Sequence, residues 1–192
     1  IEKAAELINQ SVKPLMLVGQ GVEIAGAREE LLALAEKAQI PFGQTMLGLS
    51  AAPTSHPLNM GMLGMHGNLA PNVMTNQCDL LIAVGMRFDD RVTGDLHTYA
   101  KQAKVIHFEI DPSEVGKIVK PTVAVLGDCK QTLAQVTELV LETRHQAWID
   151  GFKPYAEKEY NKVIDAALNP TEGPLLMGEV VRRVSEATNN EA

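Results

Sequence analysis

The chain has 192 residues, 45% hydrophobic, 21% charged and 4% aromatic, and 17 Lys+Arg against 24 Asp+Glu leave a net charge of −7. The acidic balance argues against binding to nucleic acid or to an anionic membrane surface, and the apolar fraction excludes wholesale disorder. Polar or turn residues interrupt every hydrophobic stretch well short of the roughly 18 residues of a membrane span.

Apolar side chains at positions 1, 4, 5 and 8 predict a helix over residues 1–11. The opening Ile1-Glu2-Lys3, with no Met and no signal peptide, reads as the interior of a longer gene product. Pro14 punctuates, and Leu15-Met16-Leu17-Val18 runs apolar without alternation into Gly19-Gln20-Gly21. Such a run ending in glycine predicts a strand buried on both faces and a tight turn after it. Leu31, Leu34, Ala35 and Ala38 share a helical face within 27–39, and 40–45 reads as a short second strand. From 46 to 67 glycine and methionine are frequent and no period emerges. A helix is expected over 70–77, and Leu80-Leu81-Ile82-Ala83-Val84 before Gly85 is the cleanest buried strand.

Further strands are expected at 105–110, closed by Asp111-Pro112, and at 123–126, closed by Gly127-Asp128. Asp128 with Gln131 three residues on resembles a capping box, opening a helix whose apolar face is Leu133, Val136, Val140 and Leu141. Strands alternating with helices predict a doubly wound α/β domain, a parallel sheet covered on both faces and ending near Arg144. Trp148, Phe152, Tyr155 and Tyr160 then crowd a charged stretch, 169–174 reads as a loop and 175–187 as a helix.

In a doubly wound sheet ligands sit beyond the carboxyl ends of the strands, so the glycine-bearing strand ends are where a site is expected. Gly19-Gln20-Gly21 invites a dinucleotide reading. Position 24 is Ile, however, the next glycine is Gly26, and Gln39 or Ile40 stands where a ribose-binding acid would. A nicotinamide-dependent dehydrogenase is therefore unsupported, and a simple strand–helix turn stays open as an alternative. Gly61-Met62-Leu63-Gly64-Met65-His66-Gly67 combines glycines that admit backbone close to a flat ligand with methionines that pack on aromatic rings. The same composition also serves a loop with core-filling methionines.

Arg87-Phe88-Asp89-Asp90-Arg91 follows the best strand, where two guanidinium forks match a pyrophosphate. A solvated loop of local ion pairs is the alternative. Glu109-Ile110-Asp111-Pro112 and Gly127-Asp128 place an acid or a glycine at further strand ends, although Asp-Pro is also a turn signal and Asp128 has a capping role. The sequence holds no P-loop, no His-Glu-x-x-His and no nucleophile elbow, and His56, His97, His107 and His145 show no paired metal spacing. The two cysteines, Cys78 and Cys129, lie in apolar surroundings without a metal spacing, which points to a reducing cytoplasm rather than a disulfide scaffold. The residues alone describe a ligand-binding α/β domain without a catalytic apparatus.

The order of these pieces is more specific than any one of them. Pro14 through Gly21, Thr45 through Leu49, His56-Pro57-Leu58, the segment 61–67, Cys78 through Gly85, Arg87 through Gly94, Ile110-Asp111-Pro112 and Gly127-Asp128 stand in one order. Together they resemble the central domain of the acetohydroxyacid (acetolactate) synthase large subunit, a thiamine-diphosphate-dependent enzyme of branched-chain amino-acid biosynthesis. The resemblance implies an FAD-binding-type α/β domain with a six-stranded parallel sheet over 1–145, a connector over 146–174, and over 175–192 the start of a C-terminal thiamine-diphosphate-binding domain. It implies a structural FAD that takes no net redox part when two pyruvates, or pyruvate and 2-oxobutyrate, condense with release of CO2.

Residue by residue, it implies FAD contacts at Gly19, Gln20 and Gly21, at Thr45, Met46 and Leu47, and at Gly64, Met65 and His66. It adds Gly85, Met86, Arg87, Asp89, Arg91 and Val92, then Glu109 and Ile110, and Gly127 and Asp128. Gln20 stands where the family usually has a third glycine, Ser50 ends a segment that often reads G-L-G, and Glu109 replaces a frequent Asp with a longer reach. The resemblance implies no catalytic residue and no metal ligand on this chain. The family's thiamine-activating glutamate belongs to the N-terminal domain, and the G-D-G…N-N segment for Mg²⁺ and thiamine diphosphate to the C-terminal one. The implied partners are those flanking domains, further copies in a dimer or tetramer, and a small regulatory subunit, in the cytoplasm. The chain alone is expected to form no acetolactate and to hold FAD weakly. Alternatives are a cofactor-free scaffold domain of a related thiamine enzyme, and the central domain of a glyoxylate carboligase or pyruvate oxidase.

Overall fold

The computed structural model describes residues 1–189; positions 190–192, the end of the segment read as a further domain, lie outside the described residues. A first helix, α1 (Glu2–Gln10), buries Ala4, Ala5, Leu7 and Ile8 and leads to β1 (Pro14–Val18), every residue of which is buried. Alternation along β1 sends Leu15 and Leu17 to one face and Met16 and Val18 to the other, all four fully buried. Burying each such side chain is worth about 1.5–3 kcal/mol relative to leaving it exposed. Next come α2 (Gln20–Ile24), α3 (Arg28–Lys37), β2 (Phe42–Gln44), β3 (Asn59–Met62) and α4 (Leu69–Thr75). They are followed by β4 (Leu80–Val84), the single turn α5 (Asp90–Thr93), β5 (Lys104–Glu109), β6 (Val123–Leu126) and α6 (Cys129–Leu139).

The six strands stand in the order β3-β2-β1-β4-β5-β6, and every adjacent pair is parallel. This is the doubly wound α/β class expected from the sequence. At its centre β1 and β4 run in register from Pro14↔Leu80 to Val18↔Val84. Asp79 holds that register at the lower end, its carboxylate accepting from the Val12 and Lys13 amides at 2.8 and 2.9 Å. On one face Met16, Val18, Ile82, Val84, Ile106 and Phe108 share a core with Ile8 of α1, Leu31 and Leu34 of α3, and Leu133 and Val136 of α6. The other face, with Leu15, Leu17, Leu81 and Ala83, is equally closed.

Two expectations change. β3 lies inside the stretch that showed no period. Its residues Asn59, Met60, Gly61 and Met62 are all half-buried, and its register against β2 shifts between Phe42 and Gln44. An edge strand of this composition has neither an apolar run nor the β-branched residues that usually mark a strand. In α6, Leu133, Val136 and Val140 are buried as expected, but Leu141 is exposed. The helix ends at Leu139 and Val140 is already extended, at φ −78° and ψ 137°, so the helical period no longer carries Leu141 onto the core.

Asp128 caps α6, its carboxylate accepting from the Lys130 and Gln131 amides at 2.9 and 3.3 Å. Asp128→Ala is expected to cost about 1 kcal/mol, and Asp128→Asn, which caps nearly as well, little. A thermal melt in which the Ala variant matches wild type would contradict the cap. Cys78 and Cys129 are both free and buried. Burial pushes their thiols up to about 12 and about 11 respectively, so neither is poised as a nucleophile.

The chain divides into two compact units, Ile1–Phe152 and the residues from Lys153 onward. The first closes with α7 (Gln146–Asp150), which buries Trp148. In the second, α8 (Lys153–Glu159) continues through a π-helical turn (Tyr160–Ile164) into α9 (Asp165–Leu168). A loop then leads to α10 (Met177–Ala187), which packs on α9 where Gly178 meets Ala167. Among the described residues, no helix is long and apolar enough to cross a membrane.

Candidate functional site

The strand order reverses between β1 and β4. Such a switch point opens a crevice at the carboxyl ends of the two strands. There the turns after β1 and β4 touch through backbone. The Gly19 amide donates to the Val84 carbonyl at 2.9 Å and the Gly21 amide to the Gly85 carbonyl at 3.0 Å. A Cβ on Gly19 would stand 2.2 Å from the Gly85 oxygen, so only glycine permits this approach. A 3-10 turn at Met46–Gly48 lies beside the β1 end, with the Thr45 amide donating to the Val18 carbonyl at 2.9 Å. Buried Gln44 holds that turn by donating to the Gly48 carbonyl at 2.9 Å, which leaves Met46 and Leu47 exposed.

The loop after β4 turns on two left-handed residues, Gly85 at φ +59° and Phe88 at φ +57°. For phenylalanine that conformation costs roughly 1–2 kcal/mol. Burial of the ring, 1% exposed here, offsets it with about 1.5–3 kcal/mol. Asp89 then caps α5, accepting from the Arg91 amide at 3.0 Å. That bond, with the adjoining Asp90 and Arg87 side chains, holds the Asp89 carboxyl below the usual carboxylate range. Arg87 donates to Asp89 at 2.8 Å and Arg91 to Asp90 at 3.2 Å, yet both guanidinium-bearing side chains are about two-thirds exposed and retain donors for an anionic ligand. At the end of β5, buried Glu109 accepts from the Ile110 and Asp111 amides at 2.9 and 3.1 Å.

These elements enclose a pocket of about 490 Å³, within the range of small-molecule and cofactor sites. It is lined by Gly19, Gln20, Gly21, Thr45, Met46, Leu47, Gly85, Met86, Arg87, Asp89, Arg91, Val92 and Glu109, all expected from the sequence. Ile24, Asp111 and Glu114 line it as well and were not among the expected residues. Asp111 carries a signal, an acid two positions past a strand end. Ile24 and Glu114 carry none, because only the tertiary fold brings α2 and the turn after β5 to this mouth.

Six expected residues stand off the lining, in places the structure accounts for. Gly64 and Met65 belong to a loop bound to the β4 side, the Met65 amide donating to the Arg91 carbonyl at 2.7 Å; His66, next in that loop, is exposed. Ile110 has its side chain in solvent. Gly127 donates to the Glu109 carbonyl at 3.0 Å, and the Asp128 carboxylate is occupied in capping α6. Among the described residues, no cluster of His, Cys, Asp and Glu could hold a metal ion.

The family model for the thiamine pyrophosphate enzyme central domain matches residues 1–136. The acetolactate synthase large subunit of Parasynechococcus marenigrum is 42% identical over 190 residues, which is 97% of this chain and 30% of that protein. That of Corynebacterium glutamicum is 45% identical over 158 residues, 80% of this chain and 25% of that protein. The acetolactate synthase isozyme 1 large subunit of Escherichia coli is 43% identical over 148 residues, 77% of this chain and 26% of that protein. The chain thus spans between a quarter and a third of the length of these curated relatives. A solved structure described as a thiamin diphosphate-dependent enzyme from Mycobacterium smegmatis superposes with a TM-score of 0.62 at 26% identity, covering 74% of this chain and 27% of that one. With a six-stranded parallel sheet, a crevice at its switch point and a family match across most of the first unit, the chain belongs to the thiamine pyrophosphate enzyme central-domain family.

Proposed function

We propose that this chain is the FAD-carrying central domain of an acetolactate synthase, an enzyme that condenses two pyruvates, or pyruvate with 2-oxobutyrate, with loss of CO2. Two arginines at the mouth of a glycine-walled crevice carry the reading, and the identity to acetolactate synthase large subunits supports it. Gly19, Gly21 and Gly85 allow backbone to approach a dinucleotide closely. Arg87 and Arg91 present forked donors to its pyrophosphate. Ile24, Met46, Leu47 and Val92 offer apolar surface to the isoalloxazine, and Glu109 with Asp111 can accept from ribose hydroxyls. Gly64, Met65, His66, Ile110, Gly127 and Asp128 would form the rim. The flavin's role is structural in this reading. Thiamine diphosphate and Mg²⁺ supply the carboligation chemistry from flanking domains, within a homo-oligomer that also takes a small regulatory subunit and resides in the cytoplasm.

The test is flavin retention by the full-length enzyme after gel filtration. Arg87→Ala is expected to weaken FAD binding by about tenfold or more, because a charge-assisted hydrogen bond is lost. Lys101→Ala, on the exposed surface, is expected to leave it unchanged. Equal flavin retention by the two variants would overturn the assignment of this site to the flavin, whereas a full-length enzyme that retains no flavin at all would favour a cofactor-free scaffold.

A further inference from the structure

One buried polar side chain behind the pocket does not line it. His107, within β5, is fully buried, and its Nε2 lies 2.8 Å from the Met86 carbonyl oxygen. A carbonyl only accepts, so the bonding hydrogen sits on Nε2. Nδ1 is buried with no hydrogen-bond partner. The ring also meets Phe88 edge-on, with centroids 5.0 Å apart and planes at 70°, and its Nε2 stands 3.6 Å from Glu109 Oε2. One imidazole therefore grips the residue before Arg87 and the residue after it.

A leucine would fill this space without an orphaned nitrogen, and an unsatisfied buried polar atom is costly. The bond His107 does make must therefore matter. What it holds is a turn with two left-handed residues, Gly85 and Phe88. In the ion pair of Arg87 with Asp89 the arginine side chain is about two-thirds exposed, and pairs open to solvent hold a side chain only weakly.

We propose that His107 is a positioning residue for the cofactor site: its Nε2–H bond to the Met86 carbonyl and its contact with Phe88 hold the 85–89 turn so that Arg87 faces the pocket. The ligand in this proposal rests on the FAD reading above; the holding of the turn does not. An alkyl side chain at 107 keeps the packing and loses the hydrogen bond. Glutamine places an amide nitrogen near the position of Nε2 and keeps the donor, whereas asparagine is too short to reach it.

The experiment uses the full-length enzyme with His107→Leu, His107→Gln and His107→Asn. FAD affinity is measured by fluorescence titration, and amide exchange of the 85–92 segment in the flavin-free protein. His107→Leu and His107→Asn are expected to speed exchange in that segment and to weaken FAD binding by about tenfold. His107→Gln is expected to stay within about threefold of wild type on both measures. In an Arg87→Ala background, His107→Leu should add less than about twofold, because both changes remove the same contact. Should the Leu variant not fold, the Gln and Asn pair carries the comparison.

Wild-type exchange and affinity in His107→Leu, or a Gln variant as impaired as the Leu one, would overturn the proposal and leave the Arg87 result standing. Faster exchange without loss of FAD affinity would overturn the role at the cofactor site. An Arg87→Ala enzyme with wild-type flavin retention would instead overturn the Arg87 contact, and a wild-type enzyme that retains no flavin would overturn the FAD reading.

Discussion

Gly19→Ala is expected to lower the melting temperature of the domain by about 6–12 °C, at roughly 2–4 °C per kcal/mol for a chain of this size. Gly19 has φ −104°, a backbone conformation any residue adopts. At such a position alanine would ordinarily stabilise, by about 0.4–1 kcal/mol, through the unfolded chain. The obstacle is steric: the new Cβ would stand 2.2 Å from the Gly85 oxygen and 2.6 Å from the Met86 Cβ. The first of these atoms is backbone and cannot rotate away. Relief would require parting the β1 and β4 ends, which are joined by the Gly19 amide's bond to Val84 and the Gly21 amide's bond to Gly85.

Overpacking typically costs about 1–3 kcal/mol, and the backbone contact puts this case at or beyond the upper end. Gly26→Ala is the matched control. Gly26 sits at φ +59° with nothing within 4 Å of the added Cβ, so only the left-handed strain of about 1–2 kcal/mol applies. A differential-scanning melt in which Gly19→Ala is no less stable than Gly26→Ala would refute the close approach. If the proposed FAD site is correct, loss of flavin in the full-length Gly19→Ala enzyme should accompany the loss of stability, since the same two turns form the pocket wall.

The second large effect is expected at Trp148, where Trp148→Ala should cost about 3–5 kcal/mol, the usual range for removing a buried aromatic. The indole is buried, meets Phe152 edge-on at 5.4 Å, and donates from Nε1 to the Pro14 carbonyl at 2.7 Å. It thus ties α7 to the first residue of the central strand. Trp148→Phe keeps most of the packing and loses the bond, so about 1 kcal/mol is expected. Trp148 is the sole tryptophan of the chain, so unfolding of both variants has to be followed by circular dichroism. If the alanine variant melts within 2 °C or so of the phenylalanine one, packing of α7 contributes little and the argument fails.

Strands buried on both faces were legible because such burial leaves an unbroken apolar run, as in Leu15–Val18 and Leu80–Val84. Helix faces were legible from their period, and Asp128 from the cap chemistry its side chain performs. β3 was hidden, because a half-buried edge strand of Asn, Met and Gly needs no run and no alternation. The strand-end glycines and the Arg87–Arg91 loop could be named as candidate site residues, since a strand's carboxyl end is a local property.

Which of those ends share a pocket is not local. The chain leaves β1 for β2 and β3, then returns to lay β4 beside β1, and that crossing joins residues 19–21, 85–87, 89, 91, 92 and 109 in one crevice. The same crossing admits Ile24 and Glu114 while leaving Ile110 and Asp128 outside. Composition and period therefore determined the buried strands and most of the helices of this protein, with the chemistry at their ends, but not the edge strand β3. The tertiary structure decided which ends meet, because strand pairing brings together residues that are far apart along the chain and whose local patterns carry no record of their neighbours.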